Sequence, residues 1–533
     1  MSLKKTIMAM ALATAFVTPL SAQNSPTEQM TAAVLKVYGE ELSENPQNYN
    51  VYFRRAHLYY GLNQYLRALS DIDNALKYTP AGDKDLLAQE YALRSNIYLM
   101  TDRPEEALAD ISQAYELDRT SYAYLYQKAN LELQLDRFAE AKSSYNRLRQ
   151  LKSRSLEALI GMARVAVKEN NLGLANEYLD QAIAMYPTDA DAYLRRASVL
   201  SLMGNNNGAV DDILVALSLD NHSGRPFNEL LKMSNTDYKA VITGLSNAIS
   251  KAPDTAIFIY IRAVIAQTHF HYNTAIADYN TLLDRRLYNS PTIHAGLAES
   301  YFALSRYDEA LREINIAIGT TPDNANYLVT LSKIRLAMGD DNVALREAQS
   351  ALISHPDDSQ ALEQQGLCEF ALTNYDAASN LFGQAILNDA DHAYPYIVRG
   401  WILKDYLGKA ADATTFFARA ADLYPADAES YDIRSLHPFA LLALGHNEDA
   451  YQWTKKALET KDVDGYNHYL GACLYANAGY IDEAFDALRT SLSLGFADLQ
   501  NIRFNNIANI NLAPLRDDPR FDELLNRYNH LFE

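Results

Sequence analysis

The chain has 533 residues, 48% of them hydrophobic, with only 21 Gly and 16 Pro, which is low for a disordered or sheet-rich polypeptide and leaves material for a packed core. Its 47 basic and 67 acidic residues give a formal charge of −20; this lacks the basic footprint of a nucleic-acid binder and predicts an acidic, soluble surface that favours basic partners if it favours any. With Cys368 and Cys473 as its two cysteines, the chain cannot hold a thiolate metal cluster and does not depend on disulfides.

The first predicted element is a leader. Lys4 and Lys5 precede an apolar run from Ile7 to Val17, Pro19 breaks it, and "LSA" precedes Gln23. This is the layout of a secretory signal peptide over residues 1–22, and the apolar run is too short to span a bilayer. No Cys follows it, so a lipid anchor of the bacterial lipoprotein kind is not expected. The most apolar later stretch, "TAIFIYIRAVIA" at 255–266, is short and carries Arg262, so no transmembrane segment is expected once the leader is removed. The mature protein is therefore expected to be exported. The periplasm is the first choice of compartment, and release outside the cell or a peripheral place at the outer membrane the others.

Past the leader one phrase keeps returning: an alanine, a second alanine seven places on, and a proline five places after that. Ala68, Ala75 and Pro80 carry it, as do Ala175, Ala182 and Pro187, Ala310, Ala317 and Pro322, Ala344, Ala351 and Pro356, and Ala413, Ala420 and Pro425. Seven residues are about two helical turns, so both alanines lie on one face of one helix, and the proline ends that helix. A large residue four after the first alanine falls on the same stripe, for example Ile72, Tyr145, Tyr279 and Phe382. Twelve residues before the first alanine stands another small residue, among them Ala56, Ser95, Ala129, Ala263, Ser332 and Gly366. It belongs to a preceding helix, with turn phrases such as "GLNQY" and "AMGDDN" between the two. The first alanine or its substitute falls at 68, 107, 141, 175, 209, 241, 275, 310, 344, 378, 413, 450 and 484, and seven of the twelve intervals are 34 residues. Such a period predicts stacked copies of one helix–turn–helix unit, each burying its apolar face on its neighbours.

These residues resemble the tetratricopeptide repeat (TPR) family, whose 34-residue unit has small residues at positions 8, 20 and 27, a large apolar one at 24 and Pro at 32. The resemblance covers about thirteen copies over residues 49–498, with Tyr52, Tyr91 and Tyr193 where the family has Trp. It implies an all-α fold, a right-handed superhelical α-solenoid of stacked TPR helix pairs with terminal capping helices. The expected organisation is the leader at 1–22, a capping helix at 23–48, repeats 1–5 at 49–223, an irregular sixth repeat at 224–255, repeats 7–13 at 256–498 and capping helices at 499–533. At the front, Val34, Tyr38 and Pro46 sit 34 residues before Ala68, Ile72 and Pro80, as a lone second helix would. The degenerate stretch 221–237 is a candidate hinge.

No phosphate loop, HExxH, GxSxG or Cys–His nucleophile pair occurs, so function is expected to be binding without catalysis, cofactor or metal. His269 and His271 read as exposed turn residues, Asp211 and Asp212 as helix-end residues, and both cysteines as buried free thiols. In the resembling family the first helix of each repeat lines a groove that binds peptides or helices, through positions 2, 5, 6, 9 and 12. Carried onto this chain, the groove residues are His57, Asn96, Tyr126, Gln127, Asn130, Arg164 and Arg195 in the first half. Asn and Gln suit a peptide backbone and Arg a carboxylate. The family's clamp for chaperone C-termini is not met, because only Asn96 and Asn130 approach it and Phe53 stands where a polar residue is needed. In the seventh repeat Ile257, Tyr260, Ile261 and Val264 make an apolar groove surface, expected to contact a second copy of the chain or its own superhelix closing inward. The resulting expectation is an interaction scaffold in the cell envelope that binds another protein and not nucleic acid. The alternative is a glycan- or ligand-binding envelope protein with a Tyr-rich groove.

Overall fold

The structure, a computed structural model, describes residues 26–220, 223–424, 431–459, 464–504 and 510–532. The leader, Pro425 and residues 221–222 lie outside them. Among the described residues the elements are helices joined by short turns, with no strand. They run as a lone helix Pro26–Glu44 and then successive helix pairs, numbered here from pair 1, Tyr49–Gly61 with Tyr65–Tyr78, to pair 13, Gly465–Ala478 with Ile481–Ser493. The fold is thus an α-solenoid of stacked TPR helix pairs. The chain divides into two compact units, one ending at Met203 and one beginning at Gly204.

The recurring phrase does what its chemistry dictates. The second helices of pairs 1, 8 and 9 end at Tyr78, Thr320 and Ser354, each two residues before Pro80, Pro322 or Pro356, because proline cannot continue the backbone ladder. First helices start on residues with oxygen-bearing side chains. Asn48, Asp83, Ser121, Ser155, Asp189, Asn324 and Asp358 each accept a hydrogen bond from the backbone N–H three residues on, satisfying a donor the helix leaves free. Between the two helices the chain passes through one left-handed residue. Asn63, Asp102, Asp136, Asn170 or Gly339 holds it at φ from 56° to 82°, a conformation that short polar side chains and glycine tolerate best.

The small residues let the two helices of a pair approach. Ala56, Ala129, Ala263 and Ala298 are fully buried. Where serine stands instead, its hydroxyl bonds across the pair: Ser95 Oγ to the Ala107 carbonyl and Ser332 Oγ to that of Ala344, both at 2.8 Å. The large stripe residues Ile72, Ile111, Tyr145, Leu245, Phe382 and Leu488 are buried beneath them. Glycine appears where a ring needs the space. An added Cβ on Gly161 would lie 2.2 Å from the Tyr145 ring of the preceding pair, and one on Gly296 would lie 2.6 Å from Tyr279.

Each unit is built by neighbour-to-neighbour packing, and the second unit adds contacts of long range. The helix Arg225–Thr236 packs between Asn206–Leu219 and Tyr238–Lys251, entered through Gly224 and Pro226. The C-terminal segment, with helices Leu499–Phe504 and Pro519–Arg527, caps pair 13 through buried Leu515, Phe521, Leu524 and Leu525. It also returns to pairs 7 and 8. Tyr272 Oη donates to Asp498 at 3.2 Å, Asn273 Nδ2 to the Leu531 carbonyl at 3.0 Å and Tyr307 Oη to Gln500 Oε1 at 2.6 Å.

Candidate binding surfaces

In the first unit the expected groove residues of pairs 2 to 4 are brought together. Gln127 Nε2 donates to Asn96 Oδ1 at 2.8 Å and to Ser95 Oγ at 3.2 Å. Asn130 Oδ1 accepts from Tyr145 Oη at 2.9 Å and from Arg164 Nη1 at 3.1 Å, while its amide donates to the Tyr126 carbonyl. Tyr126 stacks with Tyr122. The result is a polar ladder of two linked sets, in which Asn130 already spends its acceptor on the protein. His57 is exposed beside Phe53, and Arg195 pairs with Asp191 at 2.5 Å; neither joins the ladder.

In the second unit the apolar surface of pair 7 departs from expectation at one residue. Ile261 is only 1% exposed and presents nothing to a partner. The equivalent places in pairs 4 and 8 are Gly161 and Gly296, each filled by a tyrosine ring from the pair before. Before pair 7 that ring is replaced by Leu245, and the smaller side chain leaves the interior volume that Ile261 takes. Ile257 is half-buried, while Tyr260 and Val264 are half-buried against the cluster that also holds Ala497 and Leu531.

Beside Val264 a basin of about 710 Å³ opens, lined by the first helices of pairs 7, 8 and 9 and by Asp498, Gln500 and Asn501 of the C-terminal segment. A chain of hydrogen bonds crosses its floor. Tyr279 Oη donates to Gln267 Oε1 at 2.9 Å, Gln267 Nε2 to Glu299 Oε2 at 2.6 Å and Thr330 Oγ1 to Glu299 Oε1 at 3.5 Å. The Glu299 side chain is open to the basin yet walled in by protein, and this loss of hydration raises its pKa against the opposing pull of Lys333, Gln267 and Thr330. At the rim, Asp498 is buried and pushed up to about 6 by desolvation, although the Asn501 backbone and amide and Tyr272 all donate to it. Gln267, Glu299, Thr330 and Lys333 were missed as groove residues. They occupy positions 12, 9, 6 and 9 of their repeats, so the rule that picked Asn96 and Arg164 reaches them when applied past pair 7.

His269 and His271 are not exposed turn residues. Both pack on the Tyr238 ring, with centroids 4.8 and 4.6 Å away, and His269 Nε2 lies 2.9 Å from Ser234 Oγ. Desolvation lowers both, His269 to about 4. Nor is Asp212 a helix-end residue: it is buried in the middle of Asn206–Leu219. Cys368 and Cys473 are buried and unpaired, with burial pushing Cys473 up to about 12. Among the described residues no group of three His, Cys, Asp or Glu has metal-holding geometry, and no helix is long and apolar enough to cross a membrane.

Stacked pairs, with a polar ladder in one unit and an amphiphilic basin in the other, define a helical-repeat protein. The family model described as Tetratricopeptide repeat matches residues 160–225, 262–325 and 329–396. The chain is 36% identical over 84 residues to Protein SGT1 homolog of Bos taurus, a stretch covering 15% of this chain and 25% of that one. It is 34% identical over 82 residues to Tetratricopeptide repeat protein 36 of Danio rerio, covering 14% and 44%. The matches span less than half the length of these curated relatives. Among solved structures it is similar to yeast Tom70, at 14% identity and a TM-score of 0.36 over 78% of this chain and 100% of that one.

Proposed function

We propose that the protein is an exported, non-catalytic scaffold that holds an extended peptide or a helix of a partner protein, with the basin of pairs 7 to 9 as its principal contact and the ladder of pairs 2 to 4 as a second. The observation that carries this reading is Glu299: an exposed carboxylate in an open basin, with Gln267 and Thr330 donating to it and aromatic side chains along the walls. A ligand bringing a Lys or Arg side chain adds a charged partner to these two neutral donors. The charge of −20 favours approach of a basic segment. The leader-like residues 1–22 support a role in the cell envelope, first in the periplasm.

A photo-crosslinking residue at Thr292, on the basin wall, tests the proposal in cells fractionated for their envelope. A discrete adduct is expected that Glu299→Ala abolishes and that a neutral change on the opposite helix face leaves. An adduct indifferent to Glu299→Ala overturns the assignment of the basin. Tyr272, Tyr279 and Tyr327 lie on the same walls but are buried, which leaves the second reading, a glycan platform, little ring surface to use. Saturable quenching of tyrosine fluorescence by oligosaccharides, with no protein adduct, would select it.

A further inference from the structure

A basic residue recurs just before the small residue of the first helix, and it has a fixed cradle. In pair 1, Arg55 Nε and Nη2 grip Asp71 at 2.6 and 2.8 Å; in pair 2, Arg94 grips Asp110 at 2.6 and 2.9 Å; in pair 7, Arg262 grips Asp278 at 2.8 and 2.6 Å. That aspartate stands three residues after the first alanine of the second helix. A further acceptor comes from the second helix of the preceding pair, five residues after its alanine or equivalent: Asp73 for Arg94, Asp180 for Arg196 and Ser246 for Arg262. In pair 3, where the base is Lys128, Glu132 answers it at 2.7 Å.

Pair 11 keeps the base and loses both acceptors. Gly400 meets the Phe417 ring as Gly366 meets Phe382, so the register is fixed and Arg399 holds the place of Arg262. The residue three after Ala413 is Phe416, and the guanidinium lies over its ring, 4.5 Å from the centroid. The residue five after Ala378 is Gly383, and the Arg399 Nη1 lies where a Cβ on Gly383 would stand, 2.5 Å from it. Among the described residues no acceptor reaches this guanidinium, and its Nε is buried without a partner. A hollow of about 280 Å³ opens beside it, lined also by Asp376, Ser379, Asn380, Lys409, Asp412 and Thr415.

We propose that Arg399 and this hollow receive a carboxylate from a partner protein, an Asp or Glu side chain that takes in trans the place Asp71, Asp110 and Asp278 take in cis. The sister sites show that this cradle positions a guanidinium for bidentate contact with a planar carboxylate. Ring stacking on Phe416 occupies one guanidinium face and leaves the edge for such contact. Asp376 and Asp412 offset the charge of Arg399 and Lys409, so a carboxylate is drawn by the unfilled bidentate edge of the guanidinium rather than by net charge, and a phosphate dianion is disfavoured. Loss of hydration around Arg399, which already lowers its pKa, is relieved when the anion arrives. The site lies on pair 11, outside the basin, and stands or falls independently of it.

Saturation-transfer NMR on the full chain tests this with N-acetylglutamate N-methylamide, whose one charge is the side-chain carboxylate, against its neutral glutamine counterpart. The glutamate probe is expected to give a saturable signal in the millimolar range and the glutamine probe none. Arg399→Gln should weaken binding by about tenfold or more, as expected for a lost hydrogen bond to a charged group. Phe416→Asp, which restores an internal partner and leaves the arginine, should abolish it as well. Equal signals from the two probes on the unaltered chain, or an unchanged glutamate signal in folded Arg399→Gln, would overturn the proposal.

Discussion

Gly161 and Glu90 show how much one side chain decides in a structure this repetitive. A methyl group on Gly161 would lie 2.2 Å from the Tyr145 ring, and that ring is fully buried with its hydroxyl tied to Asn130, so it cannot swing away. Gly161→Ala should therefore cost about 1–3 kcal/mol as an overpacked core. Tyr145→Leu makes room, so the double variant should be less damaged than the two single losses added together; strict additivity in urea titrations would show that the ring is not the obstacle. Glu90 is buried, with Oε2 unpartnered. Its other oxygen lies 2.7 Å from Thr79 Oγ1, whose single proton is also claimed by the Ala75 carbonyl at 2.9 Å. Protonated Glu90 resolves the conflict by donating to Thr79, and burial pushes its pKa up to about 7 from 4.5. The folded state thus binds this proton more tightly than the unfolded one. The stabilisation is complete below about pH 4.5 and is lost as pH rises through about 7, with a ceiling of roughly 3 kcal/mol for a shift of that size. Glu90→Gln should flatten the stability of the first unit between pH 5 and 8 and raise it at pH 8; an unchanged pH slope would mean that another group is responsible.

At the scale of the helix pair, the turn of pair 7 breaks the rule its siblings obey. Where other turns place Asn, Asp, Gly, Ser or Thr in the left-handed region, this one places the aromatic Phe270 at φ 65°, which a bulky side chain adopts only under compulsion. The ring is held between Tyr466, at 4.6 Å, and Phe496, at 5.1 Å, and Gly495 comes so close to His271 that a Cβ there would lie 2.4 Å from its ring. Local strain is thus exchanged for a contact between pair 7, pair 13 and the segment after it. Phe270→Asn should relax the turn yet raise amide hydrogen exchange in 495–504, with pairs 2 to 4 unaffected. Unchanged protection of 495–504 would show that the tail is held without the ring. The periodic part of these elements was legible because each 34-residue copy meets the same neighbours, so alanines, stripe residues and prolines repeat with their contacts. Ile261 was misread as surface because the burial of its position depends on the ring size in the preceding pair. His269 and His271 were misread because the residues that cover them, Tyr238 and Ser234, come from the degenerate sixth repeat.

Over the whole molecule the two units should respond differently to damage, since stability in a stack spreads mainly to adjacent copies. The first unit is joined neighbour to neighbour from Pro26–Glu44 to Ala190–Leu202. In the second, the bond from Tyr272 to Asp498 joins residues 226 apart, and no local pattern announces such a closure. Its groove surface was accordingly only partly legible: the positional rule reaches Glu299 and Lys333, whereas the Asp498 rim comes from sequence that has lost the repeat. The leader can be settled separately: intact-mass measurement on envelope material should give a chain beginning at Gln23, and a mass that retains residues 1–22 would remove the export reading. For the units themselves, hydrogen exchange with Leu148→Ala should show opening confined to pairs 2 to 4. That deletion of a fully buried leucine costs about 2–5 kcal/mol. Phe496→Ala, of similar cost, should instead open 256–284 together with 464–504, because removing the closing ring releases both sides of the contact at once. If Phe496→Ala loosened only its immediate neighbours, the long-range bonds would be passengers on an open stack, and the basin beside them would lack a fixed rim.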